Sequence, residues 1–175
     1  MDFHFIEEYR ISNQLRANIQ ELLQKSFMSY PDRHYYKQLP AFRFYVSDAG
    51  QVVAHVAVEH RIISIDHDPI RIFGIVDLCV DDDYSKRGIA GELIQRVEHL
   101  GVECGIDFVL LFADDHRIYK NKGYQSADNI CKWLMINEHQ TLGVAKRSLA
   151  DCILFKSIGT KDWVSGELDL MGTVF

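Results

Sequence analysis

The chain runs Ile75-Val76-Asp77-Leu78-Cys79-Val80 and, a few residues on, Tyr84-Ser85-Lys86-Arg87-Gly88-Ile89-Ala90. The first run is apolar and β-branched with one carboxylate inside it, and reads as a strand. The second is a basic, glycine-containing turn from which a helical pattern departs. Ile89, Leu93, Ile94, Val97 and Leu100 share one face of that helix, and Glu92, Gln95, Arg96, Glu98 and His99 take the other. Gly105 suits the position just past its C-terminus. Phe108 to Ala113 reads as a second buried strand, expected parallel to the first through a right-handed crossover. A strand feeding a glycine turn and a helix N-terminus points backbone N–H groups at one spot, where an anionic phosphate can bind.

Outward from this segment, Phe3 to Tyr9 reads as a first strand. Ser12 is an N-cap for a helix carrying Leu15, Ile19, Leu22, Leu23 and Phe27 on one face, which Pro31 is expected to end. Tyr30 to Pro40 is a loop or a second short helix. Arg43 to Ser47 and Val52 to Ile65 are strands joined at Asp48-Ala49-Gly50, and Asp66-His67-Asp68-Pro69 is a further turn leading into the strand that ends at Val80. Cys131 to Asn137 and Cys152 to Ile158 are later strands. The order predicts an α+β domain: a mixed, largely antiparallel sheet flanked by helices, spanning residues 1–175 as one unit.

Asp77 stands out chemically. Strand alternation puts Ile75, Asp77 and Cys79 on one face and Val76, Leu78 and Val80 on the other. A lone carboxylate in an apolar strand is costly unless it is paired or used. Deprotonating an ammonium, with a pKa near ~10 like lysine, is such a use.

Two motifs carry a family resemblance. Ser85-Lys86-Arg87-Gly88-Ile89-Ala90 resembles the Gln/Arg-x-x-Gly-x-Gly/Ala pyrophosphate loop of the GCN5-related N-acetyltransferases, departing at its first position. Ile118-Tyr119-Lys120-Asn121-Lys122-Gly123-Tyr124 is similar to that family's Phe-Tyr-x-x-x-Gly-Phe/Tyr helix. The resemblance implies an acyl-CoA acyltransferase fold and an enzyme that moves the acetyl group of acetyl-CoA directly to an amine. By resemblance, the amides of Ser85, Lys86, Arg87, Gly88, Ile89 and Ala90 hold the pyrophosphate, with Lys86 or Arg87 meeting its charge. The backbone of Leu78, Cys79 and Val80 pairs with the pantetheine arm. Asp77 is the general base, and Tyr119 the general acid for the thiolate. The loop after the first helix, with Tyr30, Asp32, Tyr35 and Tyr36, lines the acceptor site, and Glu59 adds a carboxylate. The C-terminus, with Trp163, Glu167, Asp169 and Phe175, resembles the aminoglycoside 2′-N-acetyltransferase branch, where tail acids and the terminal carboxylate face the acceptor. A non-catalytic CoA-binding sensor or interaction domain of the same fold is the rival reading.

Composition narrows the partners. The formal charge of −6 argues against general nucleic-acid binding and is compatible with a small cationic acceptor. No apolar run approaches the ~18–20 residues of a membrane span, and the N-terminus has no signal-peptide pattern. Four scattered cysteines, none in a Cys-x-x-Cys pair, suit buried thiols in a reducing cytoplasm. Cys79 has no sequence support as a nucleophile. The spacing of His55, Glu59 and His60 resembles no zinc motif, so no metal is expected. The apolar tail could pair across a homodimer.

Overall fold

The computed structural model describes residues 1–175. Its contacts divide the chain into two compact units, Met1–Glu59 with Val76–Val97, and His60–Ile75 with Glu98–Phe175.

The first unit begins with β1 (Asp2–Glu7), a 3-10 turn (Glu8–Arg10) and α1 (Asn13–Ser26), followed by β2 (Phe42–Asp48) and the first part of β3 (Gln51–Ile65). The end of β4 (Asp68–Val80), a second 3-10 turn (Asp82–Tyr84) and most of α2 (Ile89–Glu103) complete it. β1 pairs antiparallel with β2 and β2 with β3, with a bulge between Val46 and Ser47. Ser12 caps α1 by accepting from the Leu15 amide. The apolar stripe of α1 supplies Ile19, Leu22 and Leu23 to a core shared with Ile11, Val52 and Cys79. Ala49 and Gly50 both take positive φ (48° and 83°), as a two-residue hairpin turn requires.

The second unit holds the start of β4, the end of β3, β5 (Phe108–Phe112), α3 (Arg117–Lys120), β6 (Gln125–Ser126), β7 (Ile130–Asn137), β8 (Gln140–Ser148), β9 (Ile153–Ser157) and β10 (Glu167–Asp169). Their order is β6-β9-β5-β4-β3-β10-β7-β8. β4 pairs parallel with β5 from Ile72↔Phe108 to Ile75↔Leu111, and β10 pairs parallel with β7. β5–β9, β6–β9, β7–β8 and β3–β10 are antiparallel. The fold is therefore the expected mixed, largely antiparallel α+β arrangement. Its core here gathers Ile63, Ile72, Phe108, Leu110, Cys131, Ile153 and Leu168, all 0% exposed.

Several expectations need correction. α1 stops at Ser26, before Pro31: Phe27 turns extended, its ring meets Tyr30 at 5.8 Å, and Ser29 takes φ 62°. Of the two alternatives for Tyr30 to Pro40, the structure has the loop. The turn before β4 is confined to Asp66 and His67, at φ 46° and 76°, and Asp68-Pro69 already belongs to the strand. β8 was not anticipated. Its signal was the turn at Glu138-His139 (φ 41° and 63°), followed by alternating Leu142 and Val144.

Candidate active site

In the first unit the candidate base is held on both sides. Asp77 lies within β4 but takes φ 52°, the left-handed region, so the strand kinks at this residue. Tyr30, in the loop after α1, donates its hydroxyl to Asp77 Oδ2 at 2.6 Å. Tyr30 is in turn framed by the rings of Phe27 and Tyr36, each at 5.8 Å. Burial raises the Asp77 pKa, while the Tyr30 hydrogen bond and the Arg43 charge pull it down, and the net direction is up. Tyr30 is itself pushed far above a normal phenol, first by burial and then by the Asp77 charge. At neutral pH it is a pure donor to the carboxylate.

Cys79, expected on the same face as Asp77, packs under α1. Burial pushes its thiol up to about 12, which removes it as a nucleophile at physiological pH. Leu78, Cys79 and Val80 border a cleft of about 260 Å³ with Lys25, Ser26, Phe27, Asp81 and Asp82. Lys25 meets Asp81 at 2.7 Å across the edge of it.

The basic turn follows directly. Tyr84 donates to Asp48 Oδ2 at 2.6 Å and anchors the loop to the β2–β3 hairpin. Ser85 closes the 3-10 turn through its amide to the Asp82 carbonyl. Arg87 folds back: its guanidinium lies 4.8 Å from the Tyr84 ring and donates to the Asp83 carbonyl at 2.7 Å. Lys86, exposed and at φ 59°, is thus the better placed of the two cations for an incoming anion. Gly88 sits at φ 80° and its carbonyl accepts the first intrahelical bond of α2, from Glu92. The opening amides of the helix, at Ile89, Ala90 and Gly91, have no partner within it, and Gly88 has no side chain to cap them.

The other anticipated acceptor residues are dispersed. Asp32 is exposed and bound by the Gln20 and Gln24 amides of α1 at 2.6 and 3.2 Å. Tyr35 stacks under the Arg33 guanidinium and borders a separate cleft with Glu8, His34 and Leu39. Glu59 is buried on β3 and acts on the Lys37 ammonium, whose pKa falls mainly through burial. His55 is fully buried, with both ring nitrogens engaged by Arg43 and by the Asp77 carbonyl. The sequence reading expects no metal at His55 and gives it no other role. Its signal was indirect: an arginine and a histidine at inward positions of adjacent strands, near an acid.

In the second unit Tyr119 is 8% exposed on α3, edge-on to Tyr124 at 5.7 Å. Burial, then the Asp115 charge, raises its hydroxyl to about 12, so it keeps its proton at neutral pH. The two tail acids are each paired with a lysine. Glu167 pairs with Lys146, and Asp169 pairs with Lys132 at 2.8 Å. Trp163 stacks on Phe155 at 4.2 Å and donates to Asn129. The Phe175 ring lies edge-on to Phe112 and fills the space beside Gly74.

No helix of the chain is long and apolar enough to cross a membrane. The fold is similar to those of solved acetyltransferases at low sequence identity. A GNAT family N-acetyltransferase from Escherichia coli, solved in complex with CoA, superposes with a TM-score of 0.67 at 19% identity, covering 95% of this chain and 88% of its own. A GNAT family acetyltransferase from Brucella melitensis, in complex with acetyl-CoA, gives 0.62 at 15% identity, covering 95% and 94%. The ribosomal-protein-S18-alanine N-acetyltransferase from Escherichia coli gives 0.58 at 12% identity, covering 92% and 97%. No curated protein sequence matches the chain. The family model for the acetyltransferase (GNAT) domain matches residues 16–127, which takes in most of α1, Asp77, the basic turn, α2 and Tyr119, and the chain belongs to that family.

Proposed function

We propose that this chain transfers the acetyl group of acetyl-CoA to a primary amine of a small cationic acceptor, by direct transfer in a ternary complex, with residues 1–175 acting as one acetyltransferase domain. The observation that carries this reading is Asp77, a carboxylate with a raised pKa set at a backbone kink in β4 and held by Tyr30. The acceptor arrives as an ammonium and must lose a proton before it can attack. Tyr30 occupies Oδ2, and Oδ1 is the oxygen assigned to that proton. The upward shift brings Asp77 closer to the basicity the task needs.

The residues present fit acetyl-CoA. A Cβ added at Gly88 would meet nothing within 4 Å, so the turn is open to a ligand there. The uncapped amides of α2 suit a pyrophosphate. Ser85, Lys86, Arg87, Gly88, Ile89 and Ala90 would hold it, and Leu78, Cys79 and Val80 would line the arm. When bound, acetyl-CoA supplies a thioester carbonyl as the electrophile. Tyr119, protonated at neutral pH, is assigned as proton donor to the leaving sulfur. On the acceptor side the aromatic pair Tyr30 and Tyr36 suits a cation. An amino sugar of the aminoglycoside kind is the first acceptor to try.

The test has two steps. Acetyl-CoA at about 100 times its dissociation constant should stabilise the fold by about 2.7 kcal/mol in a thermal melt. Free-thiol release should then be followed over a panel of amines with the wild type and Asp77→Asn. The variant should lose about 10²–10⁴-fold in kcat at neutral pH while binding acetyl-CoA normally. Equal turnover would remove Asp77 from the mechanism.

A further inference from the structure

Four ionisable residues cluster inside the first unit, and none is assigned a step in the chemistry proposed above. Arg43 and His55 are 0% exposed, Glu8 is 7% exposed, and His34 is half-buried beside them. Arg43 Nε donates to Glu8 Oε2 at 2.6 Å, and His34 Nε2 meets Glu8 Oε1 at 2.9 Å. Arg43 Nη2 donates to the His34 carbonyl at 3.0 Å. The chain of contacts then runs from Arg43 Nη1 to His55 Nε2 at 2.9 Å, and from His55 Nδ1 to the Asp77 carbonyl at 3.1 Å. Burying such groups is costly, and apolar side chains of similar volume commonly serve stability as well or better. Their retention asks for a use.

The geometry dictates the protonation state of His55. A guanidinium has donors only, so Nε2 must accept. The ring is neutral, its proton is on Nδ1, and it donates to the Asp77 carbonyl. Protonation at Nε2 would set two donors against each other in a fully buried site. Asp77, meanwhile, holds a left-handed backbone at φ 52°, a conformation that costs a residue with a Cβ. Such a conformation persists only where its surroundings over-determine it.

We propose that His55 is a positioning residue: locked between Arg43 and the Asp77 carbonyl, it holds the kink of β4 and thereby aims the Asp77 carboxylate at the acceptor amine. This rests on Asp77 acting as the base. Tyr30 then restrains the carboxylate, and His55 restrains the backbone that carries it. Glu8 balances the Arg43 charge, so the support does not depend on a titrating proton.

The test is a double-mutant cycle on the full chain, following acetyl transfer to the best amine of the panel. His55→Ala should lower kcat about 10–100-fold, as expected for a misplaced catalytic group, with acetyl-CoA affinity unchanged. In an Asp77→Asn background the same substitution should cost almost nothing more, because there is no carboxylate left to aim. His55→Asn, which keeps a donor and an acceptor on one side chain, should stay within about threefold of wild type, the value of a single hydrogen bond. If Asp77→Asn is slow but the His55→Ala penalty is additive, His55 is merely structural and the inference falls alone. If Asp77→Asn turns over like wild type, both the base and its support fall. Should His55→Ala fail to fold, nitrogen NMR of the wild type decides. A neutral Nδ1–H ring from pH 6 to 9 is required, and an Nε2–H or cationic ring overturns the proposal.

Discussion

Asp77 is under opposing pressures, and each can be released separately. Tyr30 stabilises the carboxylate, so Tyr30→Phe removes a force that lowers the Asp77 pKa. The pKa then rises further, and the acidic limb of the kcat/KM profile should move to higher pH; a limb that stays put would show that Tyr30 does not hold the base. Burial acts in the other direction and reaches into stability. Because the folded pKa lies above the unfolded value of about 3.9, the folded chain binds this proton more tightly than the unfolded one. That advantage is complete below about pH 4 and is lost as pH rises through the folded value, above which the buried charge opposes folding. Asp77→Asn should therefore melt higher than wild type at pH 8, with the gap closing toward pH 4.

At the level of elements, two helix starts serve different ends. α1 is capped by Ser12 in the ordinary way, and Ser12→Ala should cost about 1 kcal/mol of stability without altering KM for either substrate. α2 begins after Gly88 with nothing to cap it, which is wasteful for stability and useful for an anion. Gly88→Ala would place a methyl group in open space, so any effect comes from the backbone at φ 80°. The expected result is a rise of about 5–30-fold in KM for acetyl-CoA, equivalent to ~1–2 kcal/mol, with kcat little changed. An unaltered KM would show that the turn is not the phosphate site. The kink in β4 belongs to this scale too: there a side chain of β3, His55, reaches a carbonyl of the next strand.

Across the molecule, each unit is ordered by distant pieces of chain. In the second unit β10 is three residues long, yet it stands between β3 and β7, antiparallel to one and parallel to the other. Leu168, at its centre, is fully buried among Ile63, Ile72, Phe108 and Cys131. Leu168→Ala should cost about 2–5 kcal/mol, read as a fall in the denaturant midpoint with unchanged slope. A loss below 1 kcal/mol would mean the final strand contributes little to this core.

Much of this was legible in the residues. The apolar periodicity from Ile89 to Leu100, the alternation in β3 and β4, the Ser12 cap and the Gly88 turn are all local, and local preferences with a regular period survive folding because packing acts on the same faces they define. Asp77 could be singled out for the same reason: a charge in an apolar strand is conspicuous in one dimension. What escaped were interactions whose partners lie far apart. Nothing near Tyr30 announces that its hydroxyl meets a carboxylate 47 residues later. α1 ends at Ser26, ahead of Pro31, where Phe27 turns extended and its ring meets Tyr30. The tail acids looked free in the sequence, but Lys132 and Lys146 lie beside them. The candidate base could thus be singled out in the sequence by composition and spacing. Its setting was decided only by the tertiary structure, because the kink at Asp77 and the Arg43–His55 support exist only once β2, β3 and β4 lie side by side, and burial, which raises its pKa, has no meaning in an unfolded chain.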